Sequence, residues 1–529
     1  MNNLNNLYNF KNPVRHFLNL DNIIIPTNIN CVELNGISWT TPIKFRIKKD
    51  EINYRILKFP NILNFICALR EFENEDNFYD IPGIDDKKRV NPNVNTGDFK
   101  SNNYSEKLED DFNSLCIYDN LIKLDIKSFY GRLYLHNLDL NSLERYIGNM
   151  NNGNSNEIIL GNYISLFIAE RFLKKISDDL TIRFCEEKID CEFSYFSDDF
   201  YFFCNKEDNN TVIRIFDEVL ERYELERNSD KVSYWSYEEY SDYNLVEKYW
   251  KKIVSEDRLR YRNPDGTERE GTRNFYFINQ LIYRKSNLKD LKLQKVFINN
   301  FFKSTHFNKL SWEKYELQDF NCHQLFSMFK FSPEILLYAI PKFKRFDIFV
   351  KKIKKFLDVR YHNSLDTNFY EEQLYYFYAI KSLGFDDILS KNTELVLKKN
   401  NQILKSYYLL YGLFNENQIN SLKSNTNEDQ WFLNYHLILF NFNNEELEEN
   451  IKKYLVPKLA LEKLGKESNY LQFYKENIEN KISFIKDIKS LENGIQDYID
   501  LKILERTNQE DGERLIDESY DEQFECDYY

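Results

Sequence analysis

The stretch Ser194-Tyr195-Phe196-Ser197-Asp198-Asp199-Phe200-Tyr201-Phe202-Phe203 sets two adjacent carboxylates between two apolar, aromatic runs. Such runs on either side of a short polar dipeptide read as a β-hairpin with the acids at its turn. An unpaired carboxylate is costly to desolvate, so acids carried between such strands imply a cation facing them. A third acid, Asp125, lies in a second apolar run upstream, Leu121-Ile122-Lys123-Leu124-Asp125-Ile126-Lys127-Ser128-Phe129-Tyr130. An aspartate ending one strand, followed by an Asp-Asp turn on a later strand pair, suits two Mg²⁺ ions held ~4 Å apart. Asp-Asp is also a common turn dipeptide and recurs here at Asp85-Asp86, Asp110-Asp111 and Asp178-Asp179. The order and spacing of the Asp125 run set Asp198-Asp199 apart from those.

Outward from these runs, Pro42 to Pro60 reads as two alternating strands about a polar turn, and Leu160-Gly161-Asn162-Tyr163-Ile164 opens an apolar helical run. Residues 211–225 read as an amphipathic helix leading to Asn228-Ser229-Asp230-Lys231. Across 121–231 the order is strand, helix, strand-turn-strand, helix, which implies an antiparallel sheet with helices on one side. Glu71 to Asn103, with Pro82-Gly83, Pro92 and Gly97, reads as a loop-rich segment, and a short helix is expected near Pro13 to Leu20. From about residue 241 the periodicity turns helical, in segments at 332–340, 348–357, 370–383, 402–413, 429–440 and 444–455. Their spacing suggests irregular HEAT-like helical repeats, with an ordinary helical bundle as the other reading.

Taken together, the Asp125 and Asp198-Asp199 runs resemble motifs A and C of reverse transcriptases, and the Gly161 run resembles motif B. Within that class, Lys123-Leu124-Asp125-Ile126-Lys127-Ser128-Phe129-Tyr130-Gly131-Arg132-Leu133-Tyr134-Leu135-His136 resembles motif A of the AbiK-like abortive-infection group of bacterial antiphage defence proteins. The resemblance spans residues 40–235. It implies an α+β fold of reverse-transcriptase fingers and palm, followed by an all-α HEAT-like helical repeat domain. The expected divisions are an extension at 1–40, fingers and palm at 41–240, the helical repeats at 241–506 and an acidic tail at 507–529.

The resemblance also implies chemistry: two-metal nucleotidyl transfer of dNTPs with Mg²⁺, or Mn²⁺ in its place. Asp125, Asp198 and Asp199 are then the catalytic metal ligands, with Ile126 in the metal set. Lys231 protonates the leaving pyrophosphate, and Arg55 and Lys58 on the fingers hairpin neutralise the triphosphate. Tyr130 packs under the sugar and excludes a ribose 2′-hydroxyl, which favours deoxynucleotides. Gly161 and Asn162 belong to the substrate site, where a glycine lets backbone approach the nascent base pair. Two departures stand out: Phe196 replaces the usual tyrosine before motif C, and motif B lacks a Pro-Gln pair ahead of Gly161. The resembled group makes DNA without a template from a protein tyrosine, giving single-stranded DNA covalently attached to protein. Among 38 tyrosines, Tyr8 is the favoured primer, ahead of Tyr520, Tyr528 and Tyr529, because the extension precedes the fingers and folds back. Copying of a bound non-coding RNA is the rival reading, and a catalytically weak scaffold or nucleotide sensor the third. The resembled group forms closed oligomers, so a homo-oligomer is expected.

Composition bounds these readings. The chain has 529 residues, 42% of them hydrophobic, with no signal-like or ~18-residue apolar run, which points to a cytoplasmic protein without a membrane partner. Eight cysteines occur without a Cys-x-x-Cys pair, so neither a zinc site nor a disulfide framework is expected. A net charge of −14 disfavours sliding on long duplexes. Two basic patches soften this, one over Lys342 to Lys355 and one over Lys251 to Arg273, the latter beside Tyr249, Trp250 and Tyr261.

Overall fold

The computed structural model describes residues 4–9, 13–27, 29, 36–49, 53–74, 85–92, 102–241, 273–288, 291–304, 307, 319–442, 446–461 and 466–500. It is mostly helical, with one four-stranded antiparallel sheet and a separate two-stranded hairpin. The hairpin joins β1 (Ile43–Lys48) and β2 (Tyr54–Phe59). The sheet uses β3 (Asn120–Asp125), β4 (Cys191–Phe196), β5 (Asp199–Cys204) and β6 (Ser233–Trp235), in the order β4-β5-β3-β6. Asp125 pairs directly with Asp199 across β3 and β5, and Phe196 with Asp199 across β4 and β5.

Alternation along these strands divides the sheet into two faces. Phe193, Tyr195, Phe200 and Phe202 form one. Phe184 of the Tyr163–Glu187 helix lies 6.0 Å from Phe202, and Phe216 of the Asn209–Arg222 helix lies 5.2 Å from Phe200. Each buried phenylalanine contributes about 1.5–3 kcal/mol, so this aromatic layer fixes both helices to the sheet. The other face carries Leu121, Lys123, Asp125, Asp199, Tyr201 and Phe203. Here the structure corrects the one-sided expectation. Leu121 and Phe203 are apolar and need cover, which Leu108 and Leu115 of the Asn102–Ile117 helix supply. The carboxylates lie at the opposite end of that face.

Sequence patterning also missed two additions to the sheet. β6 is only three residues long, too short for a periodic signal, yet it pairs with β3 through Leu121 and Trp235. Residues 85–92, within the stretch read as loop-rich, bridge β4 in parallel: Arg89 N donates to Tyr195 O at 2.9 Å and Tyr195 N to Lys87 O at 2.9 Å. The expected helix near Pro13 is a 3₁₀ turn, Pro13–Phe17.

The chain divides into two compact units, one of residues 1–45, 55–241 and 405–485, the other of 46–54, 242–404 and 486–529. This differs from a single helical domain over 241–506, because 405–485 groups with the sheet-bearing residues. Helical periodicity reports a buried face but not which core buries it. In the second unit, helices Asp319–Phe331, Leu336–Phe343, Asp347–Asp366 and Tyr370–Ser382 follow at short intervals. Two lysines of the Lys342–Lys355 patch are paired there: Lys344 with Glu492 at 2.8 Å and Lys354 with Asp387 at 3.0 Å. The 251–273 patch and the 507–529 tail lie outside the described residues, Arg273 excepted. Among the described residues no helix is long and apolar enough to cross a membrane.

Candidate active site

Two chain segments converge at the end of the sheet. β4 and β5 are joined by the two-residue turn Ser197-Asp198, with Ser197 at φ 55°. A positive φ at the first turn position matches the right-handed twist of the strands. Asp198 is therefore the turn residue and Asp199 the first residue of β5. The turn is pinned to the end of β3 by Ile126 N, which donates to Asp198 O at 3.0 Å. Ile126 is fully buried.

Asp125 is nearly buried and its carboxylate is held on both oxygens. Asn228 Nδ2 donates to Oδ1 at 2.9 Å, and Lys231 Nζ donates to Oδ2 at 2.5 Å. Asn228 also donates its backbone N–H to Asp125 O at 2.8 Å. Its side chain accepts from Asp230 N at 3.3 Å, capping the short turn that carries Lys231. The motif resemblance singled out Lys231 but assigned no role to Asn228, although both lie in one quoted stretch.

The Asp198 carboxyl is pushed above the usual carboxylate range, first by burial and then by the charge of Asp125. Asp199, by contrast, has its own cation. Lys123 Nζ lies 3.1 Å from Asp199 Oδ2. Burial would lower Lys123, but Tyr201 and Asp199 outweigh it and hold its pKa up. Asp125 and Asp199 face each other across β3 and β5, each with a lysine partner, and the charge of both adds to the burial that raises Asp198.

Among the described residues no group of three or more His, Cys, Asp or Glu side chains is arranged as a metal site. Asp125 and Asp198 nevertheless fit a hard divalent cation, because they offer oxygen donors whose repulsion such an ion relieves. Asp199 lies opposite Asp125 on the same face, with Lys123 as its counter-charge.

Tyr130 stands beside the pair. Burial, then Glu170 and Asp198, push its phenol pKa up, so the hydroxyl stays protonated, with Ser197 and Arg55 acting in the opposite sense. Arg55 is exposed on β2 and its charge is felt at Tyr130. Lys58 does not join it. Residues three apart on a strand point to opposite faces, and Lys58 Nζ pairs with Glu157 and lies 3.3 Å from Asn151 Oδ1.

The motif B pair opens the Tyr163–Glu187 helix. Gly161 has φ 110°, and a Cβ there would lie 3.4 Å from Leu57 Cδ2 on β2. Asn162 is the N-cap of the Tyr163–Glu187 helix: its side chain accepts from Ser165 N at 3.0 Å and donates to Ile159 O at 3.1 Å. Its side-chain oxygen caps the helix and its Nδ2 ties that cap to the preceding loop.

Tyr8 also departs from expectation. It is 3% exposed, lies 5.1 Å edge-to-face from Phe65, and donates its hydroxyl to Pro60 O. The mobility on which a priming role rested is removed by this packing. Tyr520, Tyr528 and Tyr529 lie outside the described residues.

Sequence reasoning missed a buried network under the site. Arg89 Nη1 donates to Asp111 Oδ1 at 2.7 Å and to Ser194 Oγ at 2.9 Å, and Tyr240 donates to Asp111 Oδ2 at 2.5 Å. The Arg89 guanidinium lies 4.2 Å from the Tyr201 ring centroid. Beside it, Lys88 and Glu170 form a fully buried ion pair at 2.5 Å. Asp111 belongs to the Asp110-Asp111 dipeptide, and nothing local in sequence distinguishes it from a surface acid.

Compared with known proteins, the chain matches no family model and no curated protein.

Proposed function

We propose that this chain is a metal-dependent nucleotidyl transferase that polymerises deoxynucleoside triphosphates, with a reverse-transcriptase-like palm. One observation carries the reading: Asp125 and Asp198, far apart in sequence, share the end of one antiparallel sheet, where Ile126 N donates to Asp198 O at 3.0 Å, and burial followed by the charge of Asp125 pushes up the pKa of Asp198. Asp125 and Asp198 would hold Mg²⁺, and Mn²⁺ suits the same oxygen donors. The bound metal supplies activation of a hydroxyl nucleophile and counter-charge for the leaving pyrophosphate. Lys231, already in contact with Asp125, is the proton donor to the leaving group. Arg55 provides positive charge toward the triphosphate, and Tyr130 provides the neutral floor that favours deoxyribose.

The Lys123–His136 stretch supports placing the activity in antiphage abortive infection, with synthesis that needs no template and begins on a protein tyrosine. The successive helices from 319 to 382 support an irregular HEAT-like array in the second unit. The test is incubation of purified protein with Mg²⁺ and each labelled dNTP, without template or primer, followed by a denaturing protein gel. Nuclease-sensitive label that migrates with the protein supports the full reading. Label that appears only with co-purifying or added RNA moves it to a templated enzyme, and no label under either condition overturns it.

A further inference from the structure

We propose that Cys191 and Cys204 form a thiol–disulfide site, which closes into a cross-strand disulfide by exchange with a small neutral disulfide and reopens with thiol. The site lies at the open end of the β4–β5 hairpin and does not rest on the chemistry of the carboxylates at its turn.

The two cysteines are directly opposed in the β4–β5 register. Antiparallel rungs alternate between hydrogen-bonded pairs and closer, non-hydrogen-bonded ones. Tyr195 decides which kind this rung is. Its N–H donates to Lys87 O at 2.9 Å and its carbonyl accepts from Arg89 N at 2.9 Å, so both backbone groups point away from β5. The Tyr195–Phe200 rung is therefore non-hydrogen-bonded, and alternation makes Phe193–Phe202 and Cys191–Cys204 the same. Cα atoms across such a rung are about 4.5 Å apart, inside the range that a disulfide spans. Side chains on these rungs meet: ring centroids are 5.3 Å apart for Tyr195 and Phe200, and 5.6 Å for Phe193 and Phe202. The thiols meet too. Hydrogen bonding between them, ahead of burial, pushes the Cys191 thiol up, and the same bond pulls Cys204 down.

Accessibility sets the order of events. Cys191 is half-buried on the outer strand β4, whereas Cys204 is buried on β5, between β4 and β3. The Cys191 thiolate attacks one sulfur of the incoming disulfide, which breaks that S–S bond and releases one thiol. The Cys204 thiolate then attacks the Cys191 sulfur, which forms the protein disulfide and releases the second thiol. Both cysteine protons pass through water to the released thiolates, so two protein thiols are oxidised and one disulfide is reduced. Asp190 and Asp208 add negative charge at Cys191, and Asp208 and Asp119 at Cys204, which disfavours an anionic oxidant. Cys191 starts β4 and Cys204 ends β5, where strand ends have the most freedom to turn the sulfurs into a disulfide dihedral.

The experiment incubates the full-length protein with hydroxyethyl disulfide, alkylates it in denaturant and maps the tryptic peptides. Cleavage after Lys188 and Lys206 leaves both cysteines in one peptide. After oxidation that peptide is expected to take up no alkyl group and to weigh two hydrogens less than its reduced form. Dithiothreitol should restore two alkylations. The oxidised protein should melt at a higher temperature than the reduced one, because the cross-link confines the unfolded hairpin. Cys191→Ser, at a half-buried position, should keep one alkylatable thiol in this peptide and show no such rise. A peptide that keeps two free thiols, retains the hydroxyethyl thiol, or is joined to the exposed Cys116 or Cys185 overturns the site. So does a Cys191–Cys204 cross-link that leaves the melting temperature unchanged or lowers it.

Discussion

Lys231 Nζ lies 2.5 Å from Oδ2 of Asp125, the same carboxylate assigned to the metal. Lysine and dication therefore compete for one oxygen. Lys231→Met should lower the Mg²⁺ concentration needed for half-maximal nucleotide incorporation. It should also lower the rate at saturating Mg²⁺ about a hundredfold, a usual loss for a general acid. A metal titration of incorporation in both proteins reads the two effects separately. An unchanged saturating rate would remove Lys231 as proton donor.

Asp198 is held above its ordinary pKa, so its ionised form is disfavoured in the fold. For an acid raised in this way, stability is lost as pH rises through the unfolded value toward the folded one and stays lost at neutral pH. Asp198→Asn should then raise the melting temperature at pH 7 while reducing incorporation by about a thousandfold or more. Saturating Mg²⁺ should narrow the gap in melting temperature, because it stabilises only the protein with both carboxylates. Thermal melts with and without Mg²⁺ test this, and a wild-type protein more stable than the variant without metal contradicts it.

His436 is buried among Phe432, Phe440 and Phe484, and burial pushes its pKa down to about 3 from 6.5. A depressed folded pKa gives stability that is present above pH 6.5 and lost as pH falls toward the folded value. Between pH 6.5 and 5 this amounts to about 2 kcal/mol. Urea melts at the two pH values should show that loss in the wild type and much less in His436→Leu. Equal pH dependence in the two proteins would refute the assignment.

Arg89 and Asp111 are 1% and 2% exposed, so removing one leaves an uncompensated buried charge. Arg89→Leu should cost about 3–5 kcal/mol. The double variant Arg89→Leu/Asp111→Leu should recover a large part of it. A denaturant series over both proteins checks this, and full additivity of the single effects would contradict a coupled pair.

Gly161→Ala places a Cβ at φ 110° and against Leu57, and should destabilise by about 1–3 kcal/mol. Chemical denaturation measures it. A neutral change would show that the loop before the Tyr163–Glu187 helix relaxes freely.

The hairpin carrying Asp198, the strand ending in Asp125 and the helix after Asn162 were all readable, because each has a period, a cap or a turn dipeptide of its own. What escaped depended on distant partners. β6 shows no pattern in three residues and exists because β3 has an open edge. Residues 85–92 look like loop, yet Lys88 bridges Tyr195 of β4. Alternation sets Asp199 on the face of Asp125, directly opposite it, and its cation Lys123 carried no mark in the motif. Lys58 was grouped with Arg55 by adjacency and faces Glu157 instead. Asp111 carried no local mark of burial, since its partner Arg89 comes from another segment. Tyr8 seemed mobile because it is near the chain start, but Phe59, Phe65 and Pro60 enclose it.

The most direct test is incorporation of labelled dNTP by the wild type, Asp125→Asn and Asp198→Asn, with Mg²⁺ and with EDTA, assayed with and without added RNA. The account predicts incorporation by the wild type with Mg²⁺ under at least one of these conditions, and loss of it in EDTA and in each variant. Incorporation that survives either substitution, or a wild type inert under every condition, would contradict the assignment of Asp125 and Asp198 as the catalytic pair.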